Sequence, residues 1–155
     1  VMDNLFNNAM SHFIHNMFYL LGDEENSSAG FINAEAVVVR ANNIETYDTG
    51  AFRAFTDNGT ELLFLATHAC ENPADPCFRI EFEKGFVELK PGAGAIVAKM
   101  TGREEIVYPS PDSEHQFRKL FEAIENVKSP GRISCPPEAT LPHARRSLAP
   151  SRGSG

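Results

Sequence analysis

The 155-residue chain lacks the features of several special classes of protein. No apolar run approaches the roughly 20 residues that a membrane-spanning helix needs. The N-terminus has no basic segment followed by a short apolar run and a cleavage site, so no secretory signal is predicted. Val1 is not a methionine, which suggests that upstream sequence is missing. The three cysteines are an odd number without CxxC spacing, and they favour a reduced, cytoplasmic protein without a zinc site.

Basic residues are scarce relative to acidic ones. The chain has 14 Lys and Arg against 21 Asp and Glu, a net charge of −7. Arg145, Arg146 and Arg152 lie in a tail without acidic residues, so the rest of the chain is more acidic still. Such a surface repels phosphate backbones, and nucleic acid is not expected as a partner. The tail, residues 145–155, is rich in Ser, Pro, Arg and Gly and is predicted to be disordered.

Motifs for nucleotide binding and hydrolysis are also missing. The chain has no P-loop, no GxSxG and no acidic calcium-binding loop. The string Gly92-Ala93-Gly94 resembles the start of a dinucleotide-binding fingerprint, but Val97 stands where that motif needs Gly or Ala. The string also lies between predicted strands and does not open a helix. It is interpreted as a turn, with a phosphate-binding loop as the minor alternative.

A helix without strong charges is predicted over Asn4–Leu21, closed by Gly22. Its apolar residues recur at three- and four-residue steps, and it contains no Lys or Glu. At about 100° per residue, one narrow stripe collects the polar side chains Asn8, His12, His15 and Tyr19. An uncharged polar stripe suits a half-buried site where an imidazole acts as acid or base. The alternative is a helix packed on two sides, its histidines hydrogen-bonded to neighbours.

The other candidate ligands and nucleophiles carry weaker signals. His12 and His15 could bind one metal ion together, but no carboxylate stands on the stripe and no metal site is predicted. His68 alternates with apolar residues in a predicted strand and is interpreted as a core or interface histidine. His115 is expected to be solvated on a second helix, and the role of His143 stays open. The thiols have no neighbouring histidine pattern that would mark a nucleophile.

The middle of the chain has the pattern of antiparallel strands joined by tight turns, of which Asp57–Thr60 is the clearest hairpin signal. The predicted strands are Asn33–Ala41, Thr49–Thr56, Glu61–Ala69, Cys77–Glu83, Phe86–Lys90, Ala95–Met100 and Glu104–Tyr108. The third is apolar on both faces, so both faces need cover. The chain's helices can cover one face, and another domain or subunit must cover the other.

Helices are predicted after the strands as well. Ser113 and Gln116 form a capping box for a second, amphipathic helix, and Glu138–Ala144 starts a short third one. The predicted fold class is therefore α+β. It is an open, mainly antiparallel β-sheet with helices packed on one face, and the other face is an oligomer interface.

Several strings resemble the C-terminal half of the glucose–fructose oxidoreductase/inositol dehydrogenase/MocA-like (Gfo/Idh/MocA) oxidoreductases. In that family a helix carries a D-x-x-x-H pattern and ends in a Leu-rich turn and Gly. Asn8-Ala9-Met10-Ser11-His12, running on to Leu20-Leu21-Gly22, is similar to it. Three further strings resemble the family's sheet and closing segment: Asn58-Gly59-Thr60-Glu61-Leu62, Phe78–Gly85, and Ile133–Ala139 followed by Leu141-Pro142. The resemblance covers residues 1–144, and it implies that these residues form a substrate-binding and oligomerisation domain.

The resemblance implies an oxidoreductase that moves hydride between NAD or NADP and a hydroxyl-bearing carbon of a sugar or cyclitol. It implies that His12 is the catalytic acid or base, that Asn8 occupies the catalytic aspartate position, and that His15 and Tyr19 contact substrate. The chain has neither GxGxxG nor the family's Glu-Lys-Pro string. No cofactor is therefore expected for this chain alone, which is expected to be inactive without a Rossmann domain as its partner.

A second hypothesis is a non-catalytic binding or dimerisation module that uses the same sheet. Both hypotheses include a homo-oligomer formed through the sheet. Neither includes a membrane or a nucleic acid as a partner.

Overall fold

The computed structural model describes residues 4–110, 117–131 and 133–141. Its helices and strands are α1 Ser11–Leu20, β1 Phe31–Val39, β2 Thr49–Thr56, β3 Glu61–Thr67, β4 Phe78–Phe82, β5 Gly85–Leu89, β6 Ile96–Met100, β7 Ile106–Tyr108 and α2 Arg118–Lys128, followed by a 3₁₀ helix at Pro137–Thr140. The chain divides into two compact units. Unit 1 comprises residues 1–70 and 133–155, and unit 2 comprises residues 71–132.

The first helical turns are fixed by two asparagines. The Asn4 side-chain oxygen accepts hydrogen bonds from the backbone N–H groups of Phe6 and Asn7, at 3.0 and 3.1 Å. The Asn7 side-chain oxygen accepts one in return from the Asn4 N–H, at 3.0 Å. This reciprocal arrangement satisfies N–H groups that a helix start leaves open. Regular α-helix begins only at Ser11, later than the predicted start at Asn4.

In unit 1, strands β1, β2 and β3 form an antiparallel sheet in that order. The β2–β3 register places residues of the same face opposite one another, and α1 covers that face. The resulting core consists of Ile14, Phe18, Ala54, Leu62 and Phe64. Apolar spacing at three and four residues on α1 and at two residues on β3 is what allows these side chains to meet.

The opposite face of this sheet carries exposed apolar side chains beside the Arg53–Glu61 ion pair. Val37, Leu63 and Leu65 are 70%, 59% and 69% exposed. Leu63 and Leu65 alternate with the buried Leu62 and Phe64, as predicted for a strand with two apolar faces. Within the described residues, one face is therefore covered by a helix and the other is left open.

The β2–β3 hairpin supports the end of α1. Gly59 has a φ of +84°, a conformation that favours glycine, so the predicted turn at Asp57–Thr60 forms. The Asn58 side-chain N–H donates to the Leu21 carbonyl oxygen at 2.8 Å. That carbonyl lies just past the helix and has no partner within it. The turn thus ties the sheet to the C-terminal end of the helix.

Strand β2 also comes close to the first helical turns. A Cβ atom placed on Gly50 would lie 2.6 Å from Cζ of Phe6, which is closer than real Cβ contacts. The Phe6 ring packs edge-on against Phe52, with centroids 5.6 Å apart. Glycine at position 50 therefore makes room for an aromatic ring at position 6.

A buried carboxylate closes the β1–β2 connection. Asp48 is 3% exposed and accepts hydrogen bonds from the backbone N–H groups of Ala41 and Asn42, at 2.9 and 2.8 Å. The Asn42 amide and the Thr49 hydroxyl also donate to it. The bond from Ala41 is the largest of the effects that lower the Asp48 pKa to about 2. The charge is stabilised by these hydrogen-bond donors, and no described Lys or Arg forms an ion pair with it.

Unit 2 contains an antiparallel sheet in the order β4-β5-β6-β7 and helix α2. Ala98 is its one buried residue among those described. The apolar face of α2 is present as predicted but exposed, at Phe117, Leu120, Phe121, Ile124 and Val127. The predicted capping box at Ser113 and Gln116 lies outside the described residues.

The α+β class and the antiparallel pairing are confirmed, with the seven described strands divided between two sheets. Each strand pairs with its neighbour along the chain except β3 and β4, whose connection contains Pro73 and Pro76. The predicted third helix corresponds to the 3₁₀ turn Pro137–Thr140, and the predicted disordered tail lies outside the described residues. None of the helices in residues 4–110, 117–131 and 133–141 is long and apolar enough to span a membrane.

Candidate functional site

The predicted polar stripe divides into an exposed part and a half-buried part. His12, His15 and Tyr19 lie on α1, and Asn8 lies in the turns that precede it. His12 and Asn8 are exposed, whereas His15 and Tyr19 are half-buried. The structure therefore separates the two predicted catalytic residues from the two predicted substrate-binding residues by their environment.

His12 presents an imidazole to solvent. Its ring lies against the neighbouring Phe13 ring, with centroids 3.9 Å apart. The His12 side chain makes no hydrogen bond to another residue in the described part of the chain. An exposed imidazole held against an aromatic ring can exchange a proton with a bound molecule.

Asn8 lies where the helix is irregular. Its backbone carbonyl accepts hydrogen bonds from the N–H and the hydroxyl of Ser11, at 3.3 and 2.8 Å. The Met10 N–H donates to the carbonyl of Leu5, five residues back, at 3.1 Å. That spacing is wider than the four-residue step of an α-helix. The regular angular step used to place Asn8 beside His12 therefore applies only from Ser11 onwards.

His15 contacts a residue far away in the sequence. Its Nε2 atom lies 3.4 Å from Sγ of Cys135, 120 residues along the chain. Its Nδ1 atom is buried, and no described residue offers it a hydrogen bond. Burial lowers the pKa of His15, which favours the neutral imidazole. The alternative reading of the stripe, histidines bonded to neighbours, describes His15 better than it describes His12.

Tyr19 and Cys135 meet at one side chain. The Tyr19 hydroxyl donates to the Asn26 Oδ1 atom at 2.9 Å, and the Cys135 N–H donates to the same atom at 2.8 Å. Among the described residues other than glycine, only Asn26 and Cys135 have positive φ, at +66° and +47°. Both residues adopt a backbone conformation that is rare for L-residues. The two residues are joined by the hydrogen bond from the Cys135 N–H to Asn26 Oδ1.

A second contact fixes the segment 133–141 beside this centre. The Ser28 hydroxyl donates to the carbonyl oxygen of Ala139 at 2.6 Å, and Ala139 is 3% exposed. The segment therefore belongs to unit 1 through contacts at both Asn26 and Ser28. We use the name Cys135 cluster for the four residues that these contacts join: His15, Tyr19, Asn26 and Cys135.

The remaining candidates do not join the cluster. His68 follows β3 and is exposed, so it is not a core histidine; its N–H donates to the Asp48 carbonyl oxygen at 2.8 Å. His115 and His143 lie outside the described residues. Cys70 and Cys77 are exposed. Over residues 4–110, 117–131 and 133–141, no group of three or more metal-ligating side chains is found.

Asn26 and Cys135 were missed by sequence reasoning. Asn26 lies in a polar loop whose composition predicts only a surface turn. Cys135 is more than 100 residues from both of its side-chain contacts. The Pro136-Pro137 pair after Cys135 is the one local signal, since the residue before a proline is restricted in conformation.

No family sequence model matches the chain, and no curated protein matches it by sequence. Its fold is similar to UDP-N-acetylglucosamine 3-dehydrogenase GnnA from Acidithiobacillus ferrooxidans, with a TM-score of 0.67 and 15% identity over 77% of this chain. An oxidoreductase from Thermotoga maritima matches with a TM-score of 0.59 and 16% identity over 77% of this chain. A super-repressor mutant of Gal80p from Saccharomyces cerevisiae matches with a TM-score of 0.62 and 14% identity over 93% of it.

The chain spans less than half of each of these proteins: 39% of GnnA, 37% of the Thermotoga maritima protein and 46% of Gal80p. At such low identity, the likeness establishes the fold alone. The chain therefore shares the fold of the matched part of these three proteins, which agrees with the resemblance of its sequence to the Gfo/Idh/MocA family.

Proposed function

We propose that the chain is the substrate-binding domain of an NAD(P)-dependent oxidoreductase that acts on a hydroxyl group of a sugar, a cyclitol or a similar polyol. The observation that carries the proposal is the exposed imidazole of His12 in a fold shared with oxidoreductases. The GnnA neighbour is named as a dehydrogenase of a sugar nucleotide, which agrees with a polyol substrate.

The chain's own part in this chemistry is the proton. Oxidation of an alcohol removes the hydroxyl proton, and His12 is proposed to accept it from a bound substrate. Asn8 has an amide that can donate to or accept from the same hydroxyl, but it cannot titrate. Nε2 of His15 and the hydroxyl of Tyr19 are engaged with Cys135 and Asn26, so the proposed role of these two residues is to shape the substrate site.

The string Gly92-Ala93-Gly94 does not form a dinucleotide-binding turn. Gly92 and Gly94 have φ of +68° and +62° and lie in the turn between β5 and β6, so they open no helix whose N-terminus could bind a pyrophosphate. The cofactor site is therefore proposed to lie on a Rossmann domain outside this chain. The isolated chain is proposed to be inactive.

The exposed face of the unit 1 sheet is proposed to mediate homo-oligomerisation. Val37, Leu63 and Leu65 give it apolar side chains that water solvates poorly. A Leu65→Lys variant is expected to shift the protein to a smaller species in sedimentation velocity. A Leu20→Lys variant, altered at another exposed leucine in unit 1, is the control. Equal behaviour of both variants at all concentrations would remove this part of the proposal.

One observation favours a second candidate function. The Gal80p neighbour is described as a super-repressor mutant, so this fold also occurs in a protein named for regulation. Asn8, which stands in place of the family's aspartate, is compatible with a chain that binds without catalysis. The second candidate is a non-catalytic binding or dimerisation module.

The test is His12→Ala in the complete protein that contains this domain, assayed for oxidation of polyols and sugar nucleotides with NAD and NADP. General acid–base catalysis typically contributes about 10²–10⁴-fold, and a fall of that size in kcat/KM is expected. His68→Ala, which alters another exposed histidine of unit 1, is the control and should retain activity. Near-normal kcat/KM in His12→Ala would refute the acid–base role. A complete protein that has no Rossmann domain would favour the binding module.

A further inference from the structure

The Cys135 cluster contains a pairing that neither proposed function uses. Sγ of Cys135 lies 3.4 Å from Nε2 of His15, within hydrogen-bond range for sulfur. Cys135 is half-buried, so its sulfur is neither sealed in a core nor fully solvated. The pair joins a nucleophilic atom to a basic one, which is the arrangement that activates thiols in proteins.

His15 is in the neutral form, which has a lone pair that can accept a proton. Burial lowers its pKa, so the ring is neutral in the neutral pH range and one of its nitrogens has a free lone pair. If Nε2 accepts the thiol hydrogen, the other ring nitrogen carries the ring's own hydrogen. That atom, Nδ1, is buried, and no described residue forms a hydrogen bond with it. No described contact at Nδ1 therefore fixes the ring in the other tautomer, with its hydrogen on Nε2. Nε2 remains the atom directed at Cys135.

The backbone holds the sulfur in place. Cys135 has a φ of +47°, and its N–H is bonded to the Asn26 Oδ1 atom at 2.8 Å. Asn26 has positive φ as well, and Tyr19 donates to the same Oδ1 atom at 2.9 Å. Uncommon backbone conformations persist where surrounding contacts fix them, and they cluster at functional sites. Here both serve to position Cys135 beside His15.

We infer that Cys135 is a thiol-modification site, with His15 as the proton acceptor and low-molecular-weight disulfides as the reactants. The Sγ–H proton moves to Nε2 of His15 while Sγ attacks one sulfur of the disulfide. The S–S bond of the reactant breaks, and a mixed disulfide forms on Cys135. The leaving thiolate takes up the proton from His15, so that one disulfide and one thiol are exchanged for another of each.

An adduct at this position would alter unit 1. The Cys135 sulfur contacts His15 of α1. The segment 133–141, which contains Cys135, is held by hydrogen bonds to Asn26 and Ser28. A group added to Sγ needs the space between Sγ and His15. Modification is therefore expected to loosen the segment and to uncover His15 and Tyr19, whether or not the domain belongs to an enzyme.

The chain provides its own controls for a test. Cys70 and Cys77 are exposed, and no described histidine lies at hydrogen-bond distance from either sulfur. If exposure alone set the rate of modification, Cys135 would react more slowly than the other two cysteines. Activation by His15 predicts the opposite order.

The experiment measures the rate at which oxidised glutathione modifies each cysteine, by mass spectrometry of peptides from the folded and the urea-denatured chain. We expect the folded-to-denatured rate ratio to exceed one for Cys135 and to be close to one for Cys70 and Cys77. His15→Gln, which keeps a polar side chain but no base, should lower the Cys135 rate at least tenfold and leave the other two unchanged. A Cys135 ratio below one in the wild-type chain would overturn the inference by itself. So would an unchanged Cys135 rate in a folded His15→Gln chain.

Discussion

Unit 1 and unit 2 contain similar elements, a helix and an antiparallel sheet, but they differ in what those elements bury. Helices α1 and α2 have 10 and 11 residues. Ile14 and Phe18 of α1 are buried against a sheet, whereas no residue of α2 is buried. Among the described residues, all of the buried side chains except Ala98 belong to unit 1.

The comparison shows that an apolar pattern indicates what can be buried, and packing decides what is buried. The face of α2 is as regular as that of α1, yet Leu120 and Phe121 are 54% and 56% exposed. Hydrophobic stabilisation is proportional to the apolar area removed from water, so α2 gains little from its face in the chain alone. Unit 1 therefore contains most of the buried side chains of the described chain, whereas the apolar face of α2 in unit 2 is exposed.

The largest expected effect comes from one substitution made in both units. Phe18 is 2% exposed and stacks on Phe31 with centroids 5.3 Å apart, so Phe18→Ala should lower the free energy of unfolding by about 3–5 kcal/mol. Phe121→Ala, at an exposed position, should lower it by less than about 1 kcal/mol. Urea unfolding followed by circular dichroism measures both. Equal losses would show that the face of α2 is covered in solution.

A smaller effect is expected from pH. Because the Asp48 pKa is lowered to about 2 in the folded chain, its contribution to stability is complete above the ordinary carboxyl pKa of about 4. That contribution is lost as the pH falls from about 4 through about 2. The gap in melting temperature between the wild type and Asp48→Asn should therefore narrow over this range. A gap that stayed constant between about pH 4 and about pH 2 would contradict this prediction.

Two asparagine side chains provide the next comparison. Asn58 bonds to the Leu21 carbonyl oxygen, 37 residues away, and Asn126 bonds to the Gly131 carbonyl oxygen five residues away. Asn58→Ala should cost about 1 kcal/mol of unfolding free energy, because a tertiary link at the helix end is lost. Asn126→Ala should cost less than about 0.5 kcal/mol. Chemical denaturation measures both losses. A larger loss of unfolding free energy in Asn126→Ala than in Asn58→Ala would contradict this prediction.

The smallest effects are expected at the exposed ion pairs. Glu61 pairs with Arg53 across the unit 1 sheet, and Glu125 pairs with Lys128 along α2. Glu61→Ala and Glu125→Ala should each change the melting temperature by no more than about 2 °C, because solvent screens these charges. Differential scanning calorimetry at low and high salt tests this. A large, salt-sensitive change in melting temperature for Glu61→Ala alone would show that the exposed Arg53–Glu61 ion pair contributes substantially to the stability of unit 1.

Features encoded by neighbouring residues could be predicted from the sequence. The core face of α1 follows from the spacing of Ile14 and Phe18, and the hairpin at Asp57–Thr60 follows from Gly59, which adopts the required positive φ. The two faces of β3 follow from alternation. These are short-range consequences of geometry, and they were sufficient to predict the fold class.

Features that join distant parts of the chain could not be predicted. Local patterns do not encode which strands pair across a long connection, so the division into two sheets became visible only in the structure. The contact between His15 and Cys135 spans 120 residues, and the Asn26 side chain accepts hydrogen bonds from Tyr19 and from Cys135, 109 residues away. His12 and His15 look equivalent on the stripe, and only tertiary packing separates an exposed imidazole from an engaged one.

The close approach of Gly50 to Phe6 has a consequence for how the sequence can change over time. Any side chain at position 50 would collide with the aromatic ring unless that ring became smaller or moved. The two sites are therefore not free to vary independently, although 44 positions separate them along the chain. Related sequences are expected to exchange the two residues together, with a larger residue at position 50 accompanied by a smaller one at position 6.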